Sequence, residues 1–196
     1  MVGAFDFCSR QPSITTLDLF RRYISAALVS KDGERLALYR KTHLWDPFSR
    51  FERNVFVDGP SLSPVVDFMG VRIGLMVCWD AEFPEPSRTL ALCGAQLIIT
   101  IAANADTFVL SHVVRVRAFE NLLHFIYCNS PGVPFCGSSI ACDPTGGVQL
   151  ALPIGEALGV VEVNVGSDSW KGVCQRNPFF HHRRADLYGP VVEKKI

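Results

Sequence analysis

An α/β layered domain is the fold class that this sequence predicts, and three observations predict it. Short apolar runs rich in β-branched residues recur along the chain, at 65–68, 71–77, 97–103 and 126–128. Helical spacing of apolar residues occurs in two segments only, near 87–93 and from Thr107 to about Phe125. Hydrophobic residues make up 48% of the chain and charged residues 19%, which is too apolar for a disordered polymer. Many strands with few helices require helices packed on sheet faces. The 196 residues fit one domain, 1–196, large enough to bury about 70% of its unfolded surface.

Taken in order, 23–30 and 35–40 read as strands around Lys31-Asp32-Gly33-Glu34, an Asp-Gly hairpin signal. Val65–Phe68 and Val71–Val77 are two further strands, broken at Gly70. Pro84 and Pro86 precede the first helix, with Pro86 suited to its first turn. Leu97–Ala103 is a continuous apolar run, the pattern of a strand covered on both faces. In the second helical segment, Leu110, Val113, Val114, Val116, Phe119, Leu122 and Leu123 recur at helical spacing. Arg115, Arg117 and Glu120 fall among them and are expected to pair within or beside that helix. Strands are then expected at 126–128, 138–142, 148–152 and 159–165, with a turn at 143–147.

Nineteen basic and nineteen acidic residues cancel, so nothing in the net field points to nucleic acid or a membrane surface. No run approaches the roughly 18 apolar residues of a spanning helix. The start, Met1 to Asp6, lacks a basic n-region, so a cytoplasmic protein is expected. Seven cysteines without a C-x-x-C pair argue for reduced thiols rather than a disulfide scaffold or zinc site. His43, His112, His124, His181 and His182 form no H-x-x-x-H or H-E-x-x-H pattern, so no metal is expected. No phosphate-binding glycine loop or G-x-S-x-G occurs; no cofactor is expected, and serine-hydrolase chemistry is disfavoured.

Cys78 is the first candidate for chemistry. It closes an apolar strand and opens Trp79-Asp80-Ala81-Glu82-Phe83-Pro84-Glu85, a polar turn before a helix. Ligands of open α/β sheets bind outside the carboxyl ends of strands. A thiol there can meet a substrate carbonyl carbon, with the next residue's N–H facing the developing oxyanion. An ordinary thiol is only about 3% ionised at pH 7, so such a site needs a cation or base. Taken alone, Cys78 reads more readily as a small buried hydrophobe, as most free cysteines are. Lys41 ends a strand within Tyr39-Arg40-Lys41-Thr42-His43-Leu44, and Glu52 lies between aromatics in Phe51-Glu52-Arg53. A lysine pressed into a pocket can stabilise an oxyanion while a carboxylate holds it. Singly, each reads as a solvated surface residue.

Together these segments resemble the carbon–nitrogen hydrolase (nitrilase/amidase) superfamily. Gly70 to Glu85 looks like its nucleophile segment, Tyr39 to Leu44 its lysine segment, and Phe51 to Phe56 the stretch carrying its second glutamate. Arg115-Val116-Arg117-Ala118-Phe119-Glu120-Asn121 is similar to its Arg-x-Arg-Ala-x-Glu-Asn helix, and Gly137 to Ile140, Asp143 to Gly146 and Pro178 to Tyr188 also fit. The resemblance implies a four-layer α-β-β-α sandwich that usually dimerises through its helices. It also implies a Cys–Lys–Glu site hydrolysing a non-peptide C–N bond of a small-molecule amide or carbamoyl compound. Cys78 would be the nucleophile, Lys41 the oxyanion cation, the Trp79 N–H the second oxyanion donor, and Glu52 the residue orienting Lys41.

One departure stands out. The family's general base is a glutamate at an early Phe-Pro-Glu-type strand end, and no counterpart precedes Lys41, where the acids are Asp6, Asp18, Asp32 and Glu34. Met1 to Cys8 looks like the family's third strand, so the first two β-α units are expected to be missing. General acid–base catalysis is worth roughly 10²–10⁴-fold, so slow turnover is expected of these 196 residues. The alternative class is a binding or scaffold protein, a catalytically silent relative that keeps the dimer surface. A cysteine protease or thiol redox protein using Cys78 with His43 or His112 lacks any local signature.

Overall fold

Ser25–Val29 (β1) and Arg35–Arg40 (β2) pair antiparallel, with Ser25 opposite Arg40. The Asp-Gly signal is realised: Gly33 takes φ 83°, Ser30 N–H donates to Glu34 O at 2.8 Å, and Gly33 N–H donates to Ser30 O. The computed structural model describes residues 21–47, 51–166 and 168–193; the strand expected at Met1 to Cys8 lies outside them.

A six-stranded sheet follows, in the order β3 (Val66–Phe68), β4 (Val71–Val77), β5 (Leu97–Ala102), β6 (His124–Asn129), β7 (Ile140–Cys142), β8 (Val148–Ala151). Its centre, β4-β5-β6, is parallel and its margins are antiparallel. The parallel strands are joined through Pro84–Leu92 (α1) and Val114–Asn121 (α2), the crossovers that parallel pairing requires. Period-2 alternation splits the central strands between two cores. Met76, Ile98, Phe125 and Tyr127 pack with Leu90 of α1 and Val114 of α2. Ile73, Leu75, Val77 and Leu97 face Ala26, Ala37 and Tyr39 of the hairpin. Helices, large sheet and hairpin are thus three layers, and they belong to the α-β-β-α arrangement that the resemblance implies.

The differences from expectation have local causes. α1 begins at Pro84, three residues before Ser87, because proline fits a first helical turn, where its missing N–H costs nothing. The second helical segment does not run to Phe125. Val109–Val113 forms a π-turn, α2 stops at Asn121, and Leu122 is left-handed at φ 49°, which releases His124 into β6. Residues 159–165 form no strand; Val163 packs on the hairpin-side core, but the backbone joins no ladder. Asp168–Arg176 (α3) and Gly189–Val192 (α4) were not expected as helices. Cys78, Cys128, Cys136, Cys142 and Cys174 are free thiols, whereas Cys93 is disulfide-bonded, against the expectation of reduced cysteines. No helix among the described residues is long and apolar enough to cross a membrane.

Candidate active site

Lys41 follows β2 directly, and its backbone is held from both sides. Its N–H donates to Ile24 O at 2.8 Å, and its carbonyl accepts the Gly59 N–H at 2.7 Å. Gly59 is pressed so close to the Arg40 carbonyl that a Cβ would collide with it. The Lys41 side chain is 1% exposed, so the expectation of a solvated strand end, made for Lys41 singly, is corrected. Both Glu52 oxygens accept from its ammonium, at 2.9 and 2.6 Å. Glu52 also accepts the Trp45 N–H at 2.6 Å, which fixes the carboxylate in turn. A bare ammonium in the interior costs several kcal/mol, and this pairing is what makes the burial tolerable.

Cys78 stands where β4 gives way to the one-turn helix Cys78–Glu82. Its φ is 49°, in the left-handed region that a residue with a Cβ disfavours. The turn is closed by Asp80, whose Oδ2 accepts the Val77 N–H at 3.0 Å. Burial pushes the half-buried Cys78 thiol above its ordinary range; the Ala103 N–H and the Lys41 ammonium pull it down, and Glu52 and Glu82 add to the rise. Tyr127, covered on β6, is raised by burial and then by the neighbouring Cys78. Trp79 supplies the second N–H of the turn, a position without an intrahelical partner, while its ring meets Phe83 edge-on at 5.1 Å.

Cys78, Lys41 and Glu52 line one cavity of about 620 Å³. Ile24 and Ser25 at the start of the hairpin, 101–103 at the end of β5 and 128–130 at the end of β6 line it as well. It therefore opens at the carboxyl ends of the parallel strands, where open α/β sheets place their ligands. A nucleophilic sulfur and a fixed cation in one enclosure suit attack on a carbonyl whose oxygen becomes negative. Glu52 is the only carboxylate lining this cavity among the described residues. Asp32 and Glu34 sit exposed in the hairpin turn, at the opposite end of β2 from Lys41.

The histidines stand elsewhere. His43 Nδ1 donates to Asp80 Oδ1 at 2.8 Å and its ring stacks on Phe83, while His112 stacks on Phe108. His181 and His182 lie on an exposed loop. Arg117 ties α2 to the Cys78 turn, donating to the carbonyls of Ala81 at 3.0 Å and Glu82 at 2.8 Å, and it pairs with Glu120. Asp80 was not singled out from the sequence. It is fully covered, and an acid set immediately behind an apolar strand was the available signal. Asn129, also unanticipated, bridges the backbone of Asn104 and Gly137 from the cavity wall.

Comparison with known proteins places these observations. The carbon-nitrogen hydrolase family model matches residues 8–172. An (R)-stereoselective amidase from Pseudomonas sp is 36% identical over 180 residues, covering 88% of this chain and 63% of that protein. Human deaminated glutathione amidase is 31% identical over 85% of this chain and 54% of its own length. A Nesterenkonia sp. AN1 amidase structure recording Michael addition of acrylamide at its active site cysteine superposes with TM-score 0.74, at 32% identity over 88% of this chain and 64% of that one. A carbon-nitrogen hydrolase from Helicobacter pylori G27 superposes with TM-score 0.81 at 27% identity, over 88% of this chain and 66% of that one. The chain spans 61% and 63% of the first two curated relatives it matches. It belongs to the carbon–nitrogen hydrolase family.

Proposed function

We propose that the protein hydrolyses a non-peptide C–N bond of a small linear amide or carbamoyl compound through a thioester on Cys78. The observation that carries this is the shared cavity: the Cys78 thiol and the buried Lys41 ammonium line the same enclosure. The Cys78 sulfur attacks the carbonyl carbon, and the thiol proton leaves to a base. The oxyanion that forms is met by the Lys41 ammonium and the Trp79 N–H. Collapse expels the amine with a proton and leaves the acyl group on sulfur; water then breaks the thioester and restores the thiol. Glu52 holds Lys41 against the charge that appears. The Pseudomonas amidase and the acrylamide-reactive cysteine of the Nesterenkonia amidase support this chemistry by likeness.

The base is the weak point, because Glu52 is the only carboxylate lining the cavity among the described residues. Glu52 is committed to Lys41, and proton transfer contributes roughly 10²–10⁴-fold, so turnover by this chain is slow. Partner copies join through the helices in a homodimer or higher homo-oligomer, favoured by the exposure of Val116 and Phe119 on α2; sedimentation at monomer mass would exclude it. Ammonia release from a panel of small amides and carbamoyl compounds tests the activity. Release that disappears in Cys78→Ala is expected. Release that persists in Cys78→Ala, or none from any compound, overturns it and leaves a catalytically silent member.

A further inference from the structure

We propose that Asp80 is a positioning residue that sets the Lys41 ammonium against the Cys78 thiol by tying the two segments that carry them. The proposal rests on the function proposed above for this cavity. Asp80 is 0% exposed and sits two residues after Cys78. Its carboxylate gathers five donors from both sides of the site. Oδ2 accepts the Tyr39 hydroxyl at 2.7 Å and the Val77 N–H at 3.0 Å. Oδ1 meets the Thr42 hydroxyl at 3.2 Å, the His43 N–H at 3.0 Å and His43 Nδ1 at 2.8 Å.

Tyr39, Thr42 and His43 flank Lys41 at −2, +1 and +2 in the sequence, whereas Val77 flanks Cys78. Without Asp80, nothing in this set of bonds joins the end of β2 to the end of β4. A fully covered carboxylate is costly unless each lone pair is used, and here the donors occupy both oxygens. The arrangement is therefore a rigid clamp. Asp80 neither lines the cavity nor touches Lys41, so its influence runs through the Thr42–His43 backbone on one side and the left-handed Cys78 on the other.

Alkylation of Cys78 by iodoacetamide tests the clamp on the full chain without requiring amide turnover. Rates are read by mass spectrometry of intact protein across pH, in wild type, Asp80→Asn, Lys41→Met and the double variant. Asn keeps the size of Asp80 but replaces one accepting oxygen with a donor. The expected result is a roughly tenfold slower Cys78 reaction in Asp80→Asn, with its pH midpoint moved upward as in Lys41→Met. In the Lys41→Met background, the same substitution changes the rate by less than about twofold. Should Asp80→Asn fail to fold, Tyr39→Phe and Thr42→Val each remove one donor and are read the same way, with smaller shifts of equal sign.

Equal rates in wild type and Asp80→Asn overturn the proposal. So do independent effects in the double variant, an unshifted midpoint despite lower thermal stability, or a Lys41→Met rate equal to wild type. Absence of ammonia release with the coupling intact removes the hydrolase assignment and leaves the clamp standing, so the two failures are separable.

Discussion

Glu52 grips the Lys41 ammonium with both carboxylate oxygens, at 2.9 and 2.6 Å, and the lysine is 1% exposed. The pair closes one wall of the cavity that also holds Cys78. A charge pair this well covered contributes little net stability compared with apolar residues of the same volume, but breaking one half is expensive. Its presence at this point suits the proposed chemistry better than it suits folding.

Glu52→Ala is expected to destabilise the protein by about 3 kcal/mol, because it strands a buried ammonium. The double variant Lys41→Met, Glu52→Leu recovers most of that loss. Urea denaturation of the three proteins checks this, and a double variant no more stable than Glu52→Ala would contradict it.

The pH dependence of Cys78 follows from its surroundings. Burial holds the thiol above its usual range, so the reactive thiolate is scarce at neutral pH and grows as pH rises through the elevated midpoint. Lys41 lowers that midpoint and Glu52 raises it. Lys41→Met should therefore shift the alkylation profile upward, and Glu52→Gln downward. Cys142, pushed to about 11 by burial and 1% exposed, stays unmodified over the working range. Peptide mapping after alkylation reads both outcomes.

Gly59→Ala forces a Cβ into the Arg40 carbonyl and loosens the bond between the Gly59 N–H and the Lys41 carbonyl. Overpacking of this kind costs about 1–3 kcal/mol, and each kcal/mol lowers the melting temperature of a chain this size by about 2–4 °C. Thermal unfolding measures the loss, and a slower Cys78 alkylation should accompany it.

Among the described residues the one carboxylate lining the cavity is committed to Lys41, so the reaction should respond to an external base. Added formate or imidazole is expected to raise ammonia release in proportion to its concentration, with no effect on Cys78→Ala. Release that is indifferent to both would mean that the described residues already provide the proton acceptor.

Much of this was legible in the letters. Val71–Val77 and Arg35–Arg40 coincide with β4 and β2 residue for residue, because turn chemistry at Gly70 and Asp32-Gly33 bounds them sharply. Cys78, Lys41 and Glu52 were named from segment order, yet each alone looked like an ordinary surface or core residue. Only the tertiary fold brings residues 11 and 37 positions apart, from Lys41 to Glu52 and Lys41 to Cys78, onto one wall. The failures share a cause. Residues 159–165 carry strand composition, but a ladder needs a partner edge that composition does not encode. Asp80 escaped notice because its five donors come from Tyr39 to His43 and from Val77, and pairing across the fold leaves no periodic trace in sequence.

Intact-mass measurement of the protein incubated with small amides and carbamoyl compounds tests the central claim most directly. The account predicts an added acyl mass that maps to Cys78 and vanishes in Cys78→Ala. An unmodified protein across the whole panel, or an adduct mapping to Cys128 or another thiol, would contradict it.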